Sequence, residues 1–262
     1  MAWWHSQTRL IFPGAATQGK PEAALPPEGD FEIVRLRTPD GIEIVGRFGR
    51  TASTAGGVAP LTVVFFCGNG SCIAQNDAEF SNFRRLGCNV MMADYEGYGL
   101  SSGAPSEAGC YATADAIYEL LTSRRGIDPN RIVLAGRSLG AAVGIDLASR
   151  RPAGALIAIS PFTSMREMAR RAHPWRPAWL LRHHFDNLSK MPSVGCPILF
   201  ICGTEDDLVL PAMADALAAT AKSTVGRLEI PSGNHRNIMK ADEKRLWDGI
   251  AAFLGSVRKG GT

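Results

Sequence analysis

Two kinds of apolar pattern follow one another along the chain and predict its strands. Residues 31–36 and 42–45 alternate apolar with polar side chains around a turn at 38–41, which is typical of an antiparallel hairpin with one face toward solvent. The later runs are almost wholly apolar and lie at 61–66, 90–93, 132–135, 155–159 and 198–201. Such runs are typical of strands that are buried on both faces of a parallel sheet.

Segments with helical periodicity separate these strands, most clearly at 111–123, 141–149, 212–221 and 241–257. Because strands and helices alternate, the pattern predicts an α/β fold with a mainly parallel central sheet of about eight strands flanked by helices. An irregular insertion at 162–191 lies between two core strands, where we expect a short helical cap.

The domain organisation follows from length and composition. A chain of 262 residues fits one α/β domain, which we place at residues 30–258. Residues 1–29 end in a stretch rich in Gly, Pro and Ala, and we expect a surface tail there. No internal repeat divides the chain.

Charge and hydropathy bear on whether the protein binds nucleic acid or a membrane. The 28 basic and 25 acidic residues leave a net charge of +3, too small for a nucleic-acid footprint. No run approaches the roughly 18 apolar residues of a membrane span, so we expect a soluble protein. The absence of paired cysteine spacing predicts reduced thiols and favours the cytoplasm. Contact with a membrane surface is possible at one apolar group near the N-terminus, but we expect that group to pack against the domain. The group is Trp3, Trp4, Leu10, Ile11 and Phe12.

Six cysteines lack the paired spacing of a zinc site, which predicts reduced, mostly buried thiols and no metal. They are Cys67, Cys72, Cys88, Cys110, Cys196 and Cys202.

The chemistry centres on Gly136-Arg137-Ser138-Leu139-Gly140, which follows an apolar strand and precedes a helix. In such a nucleophile elbow the turn is so tight that glycine is needed two positions either side of the serine. The pattern therefore predicts Ser138 as a nucleophile.

A serine hydroxyl needs a base, and the base needs an acid to orient it. His235 follows a short strand in a glycine-containing loop, and we predict it as the base. Three carboxylates follow the strand at 198–201, namely Glu205, Asp206 and Asp207, and each is a candidate for the acid.

A tetrahedral oxyanion needs two main-chain N–H donors. We expect one from Leu139, which follows the nucleophile at a helix N-terminus, and the other from Asn69, in the glycine-rich loop 67–71.

With these residues identified, residues 30–258 resemble the α/β-hydrolase fold. Three stretches, at 94–103, 160–164 and 185–188, are similar to a cap-poor branch that includes protein-depalmitoylating thioesterases and related esterases. The resemblance implies a triad of Ser138, Asp206 and His235, since the spacing of Gly203, Asp206 and Val209 is similar to the acid loop of this fold. It also implies Asn69 and Leu139 as the oxyanion hole.

The chain departs from that branch in two ways. Cys67 stands where the branch usually has histidine, so other hydrogen bonds must brace the oxyanion loop. No cysteine precedes Cys67, whereas the branch's eukaryotic depalmitoylases carry N-terminal cysteines for lipid anchoring. Depalmitoylation by a membrane-bound form is therefore not supported.

The leading hypothesis is a serine hydrolase that cleaves small-molecule carboxylic esters or thioesters through an acyl-enzyme, without metal or organic cofactor. Phe162, Trp175 and Trp179 suggest an apolar acyl pocket. The alternatives are a serine peptidase of prolyl-oligopeptidase type, which usually carries a further domain, and a non-catalytic binding protein on the same fold.

Overall fold

The computed structural model describes residues 2–26, 29–51, 59–175 and 180–260. The chain forms two compact units, Met1–Ile132 and Val133–Thr262. Each unit combines strands with helices, and the prediction that one domain spans residues 30–258 stays a prediction.

The first unit contains four strands in the order β1-β2-β4-β3. Their bounds are β1 Glu32–Arg37, β2 Glu43–Gly49, β3 Thr62–Phe66 and β4 Asn89–Ala93. β2 pairs antiparallel with both β1 and β4, whereas β3 and β4 are parallel. The helices are α1 Ala2–Ile11, α2 Asp77–Arg85 and α3 Glu107–Glu119, with shorter turns at Pro13–Thr17, Pro21–Ala23, Ile73–Gln75, Leu120–Arg124 and Pro129–Arg131.

The predicted hairpin forms, but its solvent-facing character holds for β1 only. Exposed and buried residues alternate along the second half of β1, whereas six of the seven residues of β2 are buried. The expectation is wrong for β2 because this strand also pairs with β4. Its Arg47 is 1% exposed, forms an ion pair with Asp77 and lies 4.3 Å from the ring centroid of Phe80.

The N-terminal segment is more ordered than the expected surface tail. Besides α1, it contains the two short turns at 13–17 and 21–23. Ile11 and Phe12 are 7% and 1% exposed, as expected for packing against the protein, whereas Leu10 is 60% exposed. The side chains of Trp3 and Trp4 lie outside the described part of the structure.

The second unit contains four parallel strands in the order β5-β6-β7-β8. Their bounds are β5 Ile132–Arg137, β6 Ala155–Ile159, β7 Ile198–Gly203 and β8 Val225–Ile230. Every residue of β6 is 0% exposed, as its apolar run predicts. Because the strands are parallel, the loops that follow them lie at one edge of the sheet, where α/β proteins place their sites.

The helices of this unit are α4 Leu139–Arg150, α5 Met165–Ala172, α6 Asn187–Lys190, α7 Pro211–Thr220 and α8 Glu243–Gly260, with a short turn at Met191–Ser193. α5 and α6 lie within residues 162–191, and the role of this segment as a cap stays a prediction. The buried carboxylate of Asp146 in α4 pairs with Arg150 at 2.7 Å and with Lys190 at 2.8 Å. The second of these ion pairs ties the end of the insertion to α4.

All six cysteines are buried and belong to no disulfide, which confirms the prediction of buried thiols. Among the described residues, no helix is both long enough and apolar enough to cross a membrane.

Candidate active site

Ser138 stands at a strained turn between β5 and α4. Its φ is 54° and its ψ is −111°, outside the regions that residues other than glycine ordinarily occupy. A Cβ at Gly136 would overlap the carbonyl oxygen of Gly140 and lie 2.7 Å from the main-chain nitrogen of Ala141. The structure thus supplies the steric reason for the glycine two positions before the serine. The Ser138 N–H donates to the Ile159 carbonyl at 2.8 Å, which fixes the turn against the end of β6.

The loops after β7 and β8 are hydrogen-bonded to each other. The N–H of Glu205 donates to the Gly233 carbonyl at 2.8 Å, and the N–H of Ser232 donates to Thr204 Oγ1 at 3.0 Å. A Cβ at Gly203 would overlap the Gly233 carbonyl, so glycine permits this close approach. The two loops therefore hold the side chains that they carry in a fixed relation.

These loops bring Asp206 and His235 together. His235 Nδ1 donates to Asp206 Oδ2 at 3.0 Å. The other carboxylate oxygen, Oδ1, accepts the N–H groups of Leu208 at 3.2 Å and Val209 at 2.8 Å. Asp206 is only 3% exposed, yet it has donors on both oxygens.

The electrostatic environment keeps Asp206 ionised. Burial alone would raise the pKa of this carboxyl, but the hydrogen bond from His235, the Val209 N–H and the charge of a protonated His235 outweigh burial and hold the pKa below its ordinary value. A carboxylate in this state accepts the Nδ1 proton and leaves Nε2 as the nitrogen that can take another proton.

Of the three candidate acids, Asp206 is the one bonded to His235; Glu205 and Asp207 are exposed on either side of it. The loop that carries His235 is ordered by Asn234, whose Oδ1 accepts the N–H groups of Arg236 at 2.9 Å and Asn237 at 3.0 Å. Ser138 follows β5 in the same unit, at the same edge of the parallel sheet.

The two expected oxyanion donors belong to different units. Leu139 is the first residue of α4, and the N–H groups of a first helical turn have no partner within the helix. Asn69 follows β3, and its own main-chain N–H donates to no residue in the described ranges.

The residues expected to form the acyl pocket differ in their exposure to solvent. Phe162 is 2% exposed, Trp175 is 74% exposed and lies 5.8 Å from the ring of His173, and Trp179 lies outside the described residues. A cavity of about 440 Å³ between α5, α6 and α7 is lined by neither Phe162 nor Trp175. Their contact with substrate stays a prediction.

In the ranges that the structure describes, no group of three or more His, Cys, Asp or Glu side chains is arranged to hold a metal ion.

The contacts that hold Asn69 could not be predicted from the sequence. The Asn69 carbonyl accepts hydrogen bonds from the N–H of Gly14 and the hydroxyl of Tyr98, each at 2.9 Å. No periodicity relates residue 14 to residue 69, so the only signal was the glycine itself, which fits an exposed turn equally well.

Comparison with known proteins agrees with this architecture. The model of the alpha/beta hydrolase family matches residues 63–193. An uncharacterized protein of Mycobacterium tuberculosis is 35% identical over 96% of this chain and 88% of its own. Alpha/beta hydrolase domain-containing protein 17B of Xenopus laevis is 32% identical over 79% of this chain and 70% of its own. The chain belongs to the alpha/beta hydrolase family.

Solved structures show the same fold at lower identity. An esterase of Pyrococcus furiosus is 19% identical, with a TM-score of 0.73 over 86% of this chain and 90% of that one. An alpha-beta hydrolase of Vibrio vulnificus is also 19% identical, with a TM-score of 0.74 over 98% of this chain and 94% of that one. The predicted α/β-hydrolase fold, with eight mostly parallel strands flanked by helices, is confirmed.

Proposed function

We propose that this protein is a serine hydrolase that cleaves carboxylic esters or thioesters of small molecules through an acyl-enzyme on Ser138. The observation that carries the proposal is the hydrogen bond of 3.0 Å between His235 and the buried Asp206, on the sheet edge where Ser138 occupies its strained turn. The similarity to a protein described as an esterase supports the same reaction class.

In the proposed reaction, Ser138 Oγ attacks the acyl carbonyl carbon while His235 Nε2 takes the hydroxyl proton. The tetrahedral oxyanion accepts hydrogen bonds from the N–H groups of Asn69 and Leu139. Collapse breaks the bond to the leaving alcohol or thiol, which receives the proton from His235. Water then attacks the acyl-enzyme, gives a proton to His235 and releases the acid, and the proton returns to Ser138.

Asp206 acts through the imidazole. As an ionised acceptor it holds the proton on Nδ1, so that Nε2 is free to act as the base, and it stabilises the imidazolium that forms during each transfer. The low pKa of Asp206 keeps it in this form at neutral pH.

A fluorophosphonate probe tests the nucleophile. The unaltered protein should be labelled at Ser138, and Ser138→Ala should not be labelled. Absence of labelling, or equal labelling of both proteins, would show that Ser138 is not an activated serine.

The assignment of the acid is tested by neighbouring substitutions. Asp206→Asn should lower kcat by about 10⁴-fold, because the amide favours the wrong histidine tautomer. Glu205→Gln and Asp207→Asn are matched controls, since both side chains are exposed, and each should stay within about twofold of the parent protein. A loss in either control as large as that in Asp206→Asn would reassign the acid.

The substrate class is tested by measuring the rate of hydrolysis of p-nitrophenyl esters of increasing chain length. The same assay is run with acyl thioesters and an aminopeptidase substrate. Hydrolysis confined to the peptide substrate would favour the peptidase alternative. A labelled serine without turnover of any substrate would leave the carboxylester assignment without support.

A further inference from the structure

Asn69 is held by three hydrogen bonds, and two of its partners come from the N-terminal segment. Its carbonyl oxygen accepts the Gly14 N–H and the Tyr98 hydroxyl, both at 2.9 Å. Its side-chain Nδ2 donates to the Ile11 carbonyl, also at 2.9 Å. The side chain and the following peptide group of this residue are therefore both fixed.

The N-terminal segment is itself anchored on the far side. Thr17 Oγ1 donates to the Gly14 carbonyl at 2.7 Å and accepts the Gly99 N–H at 3.1 Å. The N–H of Gly19 donates back to the Gly99 carbonyl at 2.9 Å. Residues 11–19 thus bridge the loop after β3 and the loop after β4, and Thr17 is only 7% exposed.

Two buried tyrosines complete the support. Tyr95 donates to the Cys67 carbonyl and Tyr98 to the Asn69 carbonyl, each at 2.9 Å, and the two rings meet edge to face at 5.6 Å. Burial raises the pKa of both tyrosines well above the ordinary value, so both hydroxyls remain donors in the working pH range.

One polar group of Asn69 takes no part in these hydrogen bonds. Its carbonyl and its amide side chain are bonded, whereas its main-chain N–H donates to no described residue. Stabilisation of an oxyanion requires an N–H group whose direction is fixed before the substrate binds. The donor then does not have to reorient during the reaction.

We infer that residues 11–19 and Tyr98 position the Asn69 N–H as an oxyanion donor. The inference rests on the proposed function. Ile11, Gly14, Thr17 and Tyr98 are positioning residues, since they act through Asn69.

Gly14→Ala is the sharpest test. The φ of Gly14 is not positive, so its backbone accepts alanine, but the new Cβ would overlap the Tyr98 ring and approach Asn69 O to 2.8 Å. The methyl group therefore separates the segment from the loop. Gly195→Ala is the matched control, because its Cβ would meet nothing within 4 Å and its φ is not positive either.

The expected result is a fall in kcat of about tenfold to a hundredfold with KM within about twofold, below the ~10²–10³ that removal of a whole oxyanion donor costs. Rates are expressed per serine titrated by the fluorophosphonate, so a loss of folded protein is removed from the comparison. A trifluoromethyl ketone, whose adduct with Ser138 carries a real oxyanion, should lose affinity by the same factor as kcat/KM.

Three results would overturn the inference: an unchanged kcat per titrated serine, a rise in KM alone, or an inhibitor affinity that does not follow kcat/KM. If Gly14→Ala does not fold, Tyr98→Phe replaces it, since it removes one oxygen atom and the same readouts apply with a smaller expected loss of about threefold to tenfold. If the unaltered protein neither labels nor turns over substrate, the proposed function fails and the inference falls with it. Normal turnover by the parent and both variants refutes the inference alone.

Discussion

Two buried carboxylates, Asp94 and Asp206, have opposite electrostatic environments although each follows a strand and accepts main-chain N–H groups. Asp206 also accepts a hydrogen bond from the His235 ring, which can carry a positive charge, and its pKa lies below the ordinary value. Asp94 accepts the N–H groups of Ile73 at 2.8 Å and Leu100 at 3.0 Å. At Asp94, burial raises the pKa to about 6, because its effect is larger than that of the two hydrogen bonds and of the positive charge of Arg47. Asp206 has an ionisable donor in direct contact, which Asp94 lacks, and the cost of burial is larger at Asp94.

The raised pKa of Asp94 predicts a stability that falls as pH rises. Between the unfolded value near 4 and the folded value of about 6, the folded protein binds more protons at this group than the unfolded chain does. The free energy of unfolding should therefore decrease through this window by up to roughly 3 kcal/mol and then level off. Urea unfolding at several pH values from 4 to 7 measures the slope.

Asp94→Asn should remove this component of the slope, although the amide is also expected to lower stability at every pH because it offers one acceptor oxygen in place of two. The exposed Asp207→Asn should keep the parent slope. An Asp94→Asn protein with the same pH slope as the parent would show that the pKa of Asp94 does not differ between the folded and unfolded states.

At the scale of elements, the strands and helices that are predicted best are those that depend on local composition alone. The apolar run at 155–159 coincides with β6, in which all five residues are buried. The helix expected at 111–123 starts earlier, as α3 at Glu107, since Ser106 Oγ accepts the Gly109 N–H and caps it. Burial of β2 could not be predicted, because it depends on pairing with β4, more than 40 residues later.

The turn between β5 and α4 supplies a prediction about stability. Gly136→Ala would drive a methyl group into the carbonyl oxygen of Gly140, and that atom is main chain and cannot rotate away. We expect a loss of about 1–3 kcal/mol in the free energy of unfolding, together with lost labelling of Ser138. Denaturant unfolding and probe labelling measure the two effects.

The control for that substitution is Gly255→Ala in α8, where a Cβ would meet nothing within 4 Å. Alanine there should stabilise the helix by up to about 1 kcal/mol. If Gly136→Ala were as stable and as reactive as the parent, the steric account of the turn would be wrong.

At the scale of the whole molecule, the proposed site divides into residues that a motif marks and residues that only folding brings in. Ser138 is marked by the glycines around it, and His235 by its place after a short strand. Folding of the loops distinguishes Asp206 from Asp207, because only Asp206 is hydrogen-bonded to His235. The hydrogen bond from the Gly14 N–H to the Asn69 carbonyl joins residues 55 positions apart and has no signature in the sequence.

The thiols supply a prediction for the whole molecule, since all six are buried, belong to no disulfide and are distributed over both units. Burial raises the pKa of Cys196 and Cys202 to about 11, and it also raises the pKa of Cys72 and Cys110. The thiolate is the reactive form, and for Cys196 and Cys202 the shift lowers the thiolate fraction at neutral pH by roughly two orders of magnitude. Burial also keeps the reagent away from all six sulfur atoms.

We therefore expect the native protein to release almost no thionitrobenzoate from Ellman's reagent within minutes and to release six equivalents at once in denaturant. A reductant should leave the midpoint of thermal unfolding unchanged, because no disulfide contributes to stability. A thiol that reacts immediately in the native protein would place at least one cysteine at the surface. Fewer than six equivalents in denaturant would instead reveal a disulfide. The first result would contradict the burial of these side chains, and the second would contradict their assignment as thiols.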